Sequence, residues 1–173
     1  MIGMAKLIVT SRGLEAAPQT LRVIKDAFPD AEVGRTGFRG VITMDAEGDA
    51  LKLAEHVYQE CFVDIGRAVA IFSEVESTRE EVEEAAVRIG EENIERGESF
   101  CFRLYKRGSH QFEKDTPELE EKIGGAIWEV LEEKRGEEPE VDLETPSVTI
   151  DAEVLGSKTA VGVLRREWEV DVA

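Results

Sequence analysis

Hydrophobic period alternates between strand and helix through the first 76 residues, and this constrains the fold more than any other feature of the chain. Residues 6–11, KLIVTS, are a short β-branched run that predicts a strand. Residues 14–28 carry Leu14, Leu21, Ile24 and Phe28 at helical spacing, and Pro18 is tolerable there only near a first turn. AEVGRTGF and GVITMDA read as two strands joined through Gly37 and Gly40, a hairpin signal. GDALKLAEHVYQECF predicts a second helix with Leu51, Ala54, Val57, Tyr58 and Cys61 on its inner face, and GRAVAIFSEV closes the unit as a strand. The order is βαββαβ, a split βαβ arrangement.

That order predicts a ferredoxin-like module over 1–76, followed by a second module over 77–173. The second opens with an acidic helix, where Ser77 and Glu80 form a capping box and Val82, Ala85, Ala86 and Ile89 make one apolar stripe. Strand, helix, strand, strand follow. FCFRLYKR alternates, with Phe100, Phe102 and Leu104 on one side and Arg103 and Tyr105 on the other. TPELEEKIGGAIWEVLEEKRG is a helix with Thr116 as N-cap, Pro117 at its first position, and Leu119, Ile123, Ile127 and Val130 as its buried stripe. EVDLETPSVTIDAEVL and TAVGVLR are two strands turning through Gly156-Ser157. The predicted class is mixed, α+β in the first module and α/β in the second.

Acidic residues outnumber basic ones 38 to 21, for a net charge of −17. The mean field of such a chain repels nucleic acid, which argues against a general polyanion binder. No apolar run approaches membrane-spanning length and no export signal opens the chain, so a cytoplasmic protein without a membrane partner is expected. In that setting Cys61 and Cys101 are expected as reduced, buried thiols rather than a disulfide. With His56 and His110 they have no metal-ligand spacing, so no metal and no cofactor are expected.

Local charge departs sharply from the mean. Four windows, 1–14, 33–44, 99–112 and 154–166, contain none of the 38 acids but ten of the 21 bases. Low acid content is ordinary in strands, but enrichment in Arg and Lys is not. The window SFCFRLYKRGSHQF combines Arg103, Lys106, Arg107 and His110 with aromatic neighbours, the ingredients of phosphate contact and base stacking. His110 has no nucleophile or carboxylate at a telling spacing, so no catalytic residue is assigned.

FCFRLYKRGSHQF, then the IGGAIWEVL helix, then VDLETPSVTIDAEVL resembles the THUMP domain, and the βαββαβ unit resembles the ferredoxin-like module that accompanies it. The resemblance implies tRNA binding, with Arg103, Lys106 and Arg107 matching the family's basic strand end and His110 less closely. Arg35 and Arg39 join the predicted RNA contacts from their loop position, and Lys158 from the last acid-free window. A composite basic surface of both modules is the expectation. No methyltransferase GxGxxG unit, SGG-type pyrophosphatase loop or pseudouridine synthase core is found. The chain therefore resembles the stand-alone adaptors that present tRNA to a separate enzyme, an acetyltransferase forming N4-acetylcytidine. It is expected not to be an enzyme itself.

Two other functions compete. GRTGFRG, residues 34–40, is similar to the phosphate loop of acylphosphatases, but it lies between two strands rather than at a helix N-terminus. Ferredoxin-like modules also serve as small-molecule regulatory units. The Glu-rich helices at 80–95 and 118–133 read either as solvated faces or as a docking face for the partner enzyme.

Overall fold

A computed structural model of the chain describes residues 3–13 and 17–170. Leu14, expected in the first helix, lies outside the described residues. The chain divides into two compact units: Met1–Ile71 with Glu167–Ala173, and Phe72–Arg166.

The first unit contains β1 (Met4–Ser11), α1 (Ala17–Ala27), β2 (Glu32–Arg35), β3 (Val41–Glu47), α2 (Ala50–Cys61) and most of β4 (Ile65–Glu76). Its strand order is β2-β3-β1-β4, every neighbouring pair antiparallel, as the split arrangement requires. Ala54, Val57, Tyr58 and Cys61 are buried as predicted, and Ala50 replaces the half-buried Leu51 at the head of the stripe. Ile24 of α1 and Leu7, Val9, Val41, Ile42 and Met44 of the strands complete the core. Asp49 caps α2 by accepting from the Leu51 and Lys52 amides. A short helix that the sequence did not announce, α5 (Glu167–Val170), also belongs here. Its Trp168 is buried with its ring centroid 6.0 Å from that of Tyr58, whose hydroxyl accepts from the Ala68 amide at 3.0 Å.

The second unit contains the end of β4, α3 (Arg79–Asn93), β5 (Ser99–Tyr105), α4 (Thr116–Arg135), β6 (Glu140–Val141), β7 (Val148–Leu155) and β8 (Lys158–Arg165). Strand order is β4-β8-β7-β5-β6, with β7 and β8 antiparallel and β5 parallel to both β7 and β6. Helices α3 and α4 pack on each other and against the strands. The stripe Val82, Ala85, Ala86 and Ile89 is buried as expected. So is Leu119–Ile123–Ile127, but Leu131 rather than the half-buried Val130 continues it.

Three local expectations are corrected. Helix α3 is capped by Thr78, not Ser77, because the buried Ser77 hydroxyl is already bonded at 2.8 Å to that of Thr159 on β8. Helix α4 is capped by Asp115, whose carboxylate accepts from the Glu118 amide, so Thr116 becomes the first helical residue; an anion suits that end of the helix. The segment expected as one strand from 140 to 155 is broken after Val141. Asp142 folds back to accept from the Glu144 and Thr145 amides, an Asx-type turn that also draws its carboxyl below the usual range, with Pro146 following.

Candidate nucleic-acid interface

In the second unit, β5 and the segment after it carry the central basic residues. Strand alternation puts Arg103 on the opposite side from Phe102 and Leu104. Its guanidinium is then held from two directions: Nη1 is 3.4 Å from Glu120 Oε1 on α4, and Nη2 donates to the Leu143 carbonyl at 2.5 Å. Glu120 Oε2 accepts from the Leu104 amide at 2.9 Å, so one carboxylate ties α4 to both the edge of β5 and Arg103.

Lys106 donates from Nζ to the Lys114 carbonyl at 2.7 Å and sits 6.0 Å from the Phe112 ring centroid. Phe112 itself is buried. Its ring packs against His110 at 5.3 Å, and His110 Nδ1 accepts from the Phe112 amide at 3.3 Å. Arg107 forms an ion pair of 2.9 Å with Glu153, although that nitrogen is not aligned for a hydrogen bond. Lys158 pairs with Glu76, and the hydrogen bond it donates to that carboxylate holds the Lys158 amine above its ordinary range.

In the first unit, Arg35 ends β2 and Arg39 lies in the turn to β3. Gly37 and Gly40 have φ of 87° and 74°, in the left-handed region where a side chain is strained. Thr36 holds the turn, its hydroxyl accepting from the Phe38 amide and donating to the Val41 carbonyl, both at 3.0 Å. Both arginines are exposed and neither has an ion-pair partner among the described residues. They border a cavity of about 460 Å³ that Ala17, Pro18 and Phe38 also line. In sequence this loop lies between two strands with no helix start beside it, but the fold brings Ala17 and Pro18 of the first turn of α1 to it.

The bases of the acid-free windows thus divide three ways. Arg103, Arg107 and Lys158 each meet a carboxylate, from Glu120, Glu153 and Glu76 respectively, as Arg165 meets Glu98. Arg12 donates to the carbonyls of Ile65 and Phe62. Arg35 and Arg39 keep their charge open to solvent. Among the described residues no cluster of His, Cys, Asp and Glu could hold a metal ion, and no helix is long and apolar enough to cross a membrane. Cys61 and Cys101 are both free and buried.

A family model described as "THUMP domain" matches residues 76–164, more than half of the chain. The chain belongs to the THUMP domain family. THUMP domains bind tRNA and occur in tRNA-modifying enzymes. Solved structures share the fold beyond the THUMP segment itself. PH1313 from Pyrococcus horikoshii is 22% identical with a TM-score of 0.60, over 93% of this chain and 54% of that one. TrmN from Thermus thermophilus is 21% identical with a TM-score of 0.59, over 93% of this chain and 45% of that one. A 4-thiouridine synthetase solved as an RNA complex with bound ATP is 18% identical with a TM-score of 0.61, over 94% of this chain and 42% of that one. This THUMP chain therefore spans about half the length of these proteins or less. No curated protein matches it.

Proposed function

We propose that this chain is a non-catalytic tRNA-binding adaptor that presents tRNA to a separate modification enzyme. The observation that carries the reading is the THUMP match over 76–164. The RNA complex of the structurally similar 4-thiouridine synthetase supports it.

The mechanism is neutralisation of backbone phosphates, which releases condensed counterions and needs cations not already compensated by the protein. Arg35 and Arg39 meet that requirement in the first unit. Lys106, bonded to a carbonyl rather than a carboxylate, meets it in the second, with His110 beside it. Arg103, Arg107 and Lys158 spend part of their charge on Glu120, Glu153 and Glu76 and act chiefly in holding the surface in shape. Selectivity comes from RNA shape more than from base edges.

The enzyme served is the acetyltransferase that forms N4-acetylcytidine in tRNA, as in the stand-alone THUMP adaptors the sequence resembles. A reconstituted acetylation assay tests this. The chain should raise kcat/KM of such an enzyme on tRNA while acetylating nothing alone. An acetyltransferase indifferent to the chain would remove that partner from the account without touching RNA binding.

A further inference from the structure

A second cavity, of about 500 Å³, lies wholly within the second unit between α4 and the β5–β6 edge. Phe100, Phe102, Trp128, Val141 and Leu143 give it largely apolar walls. Val141 and Leu143 are 49% and 62% exposed, unusual for large aliphatic side chains so close together.

Two glycines of α4, Gly124 and Gly125, also line it. Glycine in a helix interior is unfavourable relative to alanine. Packing does not require either one: a Cβ on Gly125 would meet nothing within 4 Å, and one on Gly124 would make an ordinary 3.8 Å contact with Phe102. Gly90 of α3 is the contrasting case, since a Cβ there would sit 3.0 Å from Ile127 Cγ2. The glycine pair instead keeps the cavity open. A local rule broken without a packing reason is the mark of a functional position.

The cavity is also held in shape. Trp128 Nε1 donates to the Pro139 carbonyl at 3.0 Å, which satisfies its one polar atom and fixes the ring. Arg103 and the Asp142 turn fix the loop carrying Leu143.

The rim identifies the occupant. Glu120 and Glu121 line the cavity, while Glu140, Asp142 and Glu144 alternate along the chain with the lining Val141 and Leu143. The lining cation, Arg103, is committed to Glu120 and the Leu143 carbonyl. Phosphates entering here would meet carboxylates, so charge complementarity disfavours RNA. We propose that this cavity docks a segment of a partner protein that inserts one or two large apolar side chains and flanks them with Lys or Arg. The partner's existence rests on the adaptor reading, but the surface does not.

The probe is a displayed library of random ten-residue peptides selected on the intact chain. Enriched peptides should pair an aromatic or aliphatic anchor with basic flanks. Gly125→Leu, which fills the cavity from a position with open space, should weaken them at least tenfold, as should Leu143→Asp on the exposed rim. Circular dichroism confirms that each variant folds, and the two substitutions sit on different elements, so failure of one to fold leaves the other decisive. tRNA binding by both variants should stay within twofold of the parent. No enrichment, acidic peptides, or peptides indifferent to both substitutions would overturn the docking site. So would tRNA binding lost on cavity filling, which points to an RNA end as occupant, or concentration-dependent self-association that Gly125→Leu abolishes, which points to a second copy. If instead the parent fails to bind tRNA, the adaptor reading falls whatever the peptides do.

Discussion

The Arg107 guanidinium stands 2.9 Å from the carboxylate of Glu153, which is fully buried on β7 while Arg107 is 20% exposed. Removing Arg107 takes away the cation paired with a carboxylate that sits in a desolvated place, and breaking such a pair is costly. Arg107→Ala should therefore lower unfolding free energy by about 3 kcal/mol, read as an earlier urea midpoint with unchanged slope. An unaltered midpoint would show the pair to be energetically idle and return Arg107 to the list of available RNA contacts.

That pair also shows where reading the sequence stops. Both modules were legible, because strand and helix periods are local properties: Phe100, Phe102 and Leu104 alternate, and Val82, Ala85, Ala86 and Ile89 recur at helical spacing. The basic windows were legible as composition, but their pairing was not. Glu153 lies 46 residues after Arg107, and Glu120 faces Arg103 across a helix–strand contact that no spacing announces. The caps slipped by one residue where a neighbouring side chain had a better use, as with Ser77 bonding Thr159. Helix α5 is a single turn, too short for a period to register. Gly124 and Gly125 stand in IGGAIWEVL, which in the sequence carries only a family resemblance; the cavity they line depends on Val141 and Leu143, brought to them by the fold.

The glycines make a paired prediction. Gly125→Ala should stabilise the protein by about 1 kcal/mol through helix propensity, since its Cβ enters open space. Gly90→Ala gains the same propensity but presses on the buried Ile127, and overpacking costs about 1–3 kcal/mol. Thermal melts should rank Gly125→Ala above the parent and Gly90→Ala no higher than it. The reverse ranking would remove the argument that packing explains one glycine and an open cavity the other.

Cys61 offers a pH test. Burial, with Asp64 and Glu60 adding to it, pushes its thiol from 9.0 up to about 11. The unfolded chain therefore ionises first. This group's contribution is fully present below pH 9.0 and is lost as pH rises from there to about 11. Unfolding free energy should fall more steeply across that window in the parent than in Cys61→Ala. Equal slopes would mean that the thiol ionises as readily folded as unfolded. Native Cys61 and Cys101 should also resist a thiol-specific reagent at pH 8 until the protein is unfolded, and rapid labelling of native protein would contradict their burial.

The most direct measurement is tRNA binding by mobility shift at several salt concentrations, on the parent and on Arg35→Ala, Arg39→Ala and Lys106→Ala. The account predicts binding that weakens linearly on a log–log salt plot, with each substitution lowering the slope by about 0.9 per lost phosphate contact. No binding at low salt, or binding whose slope is unchanged in all three folded variants, would contradict it.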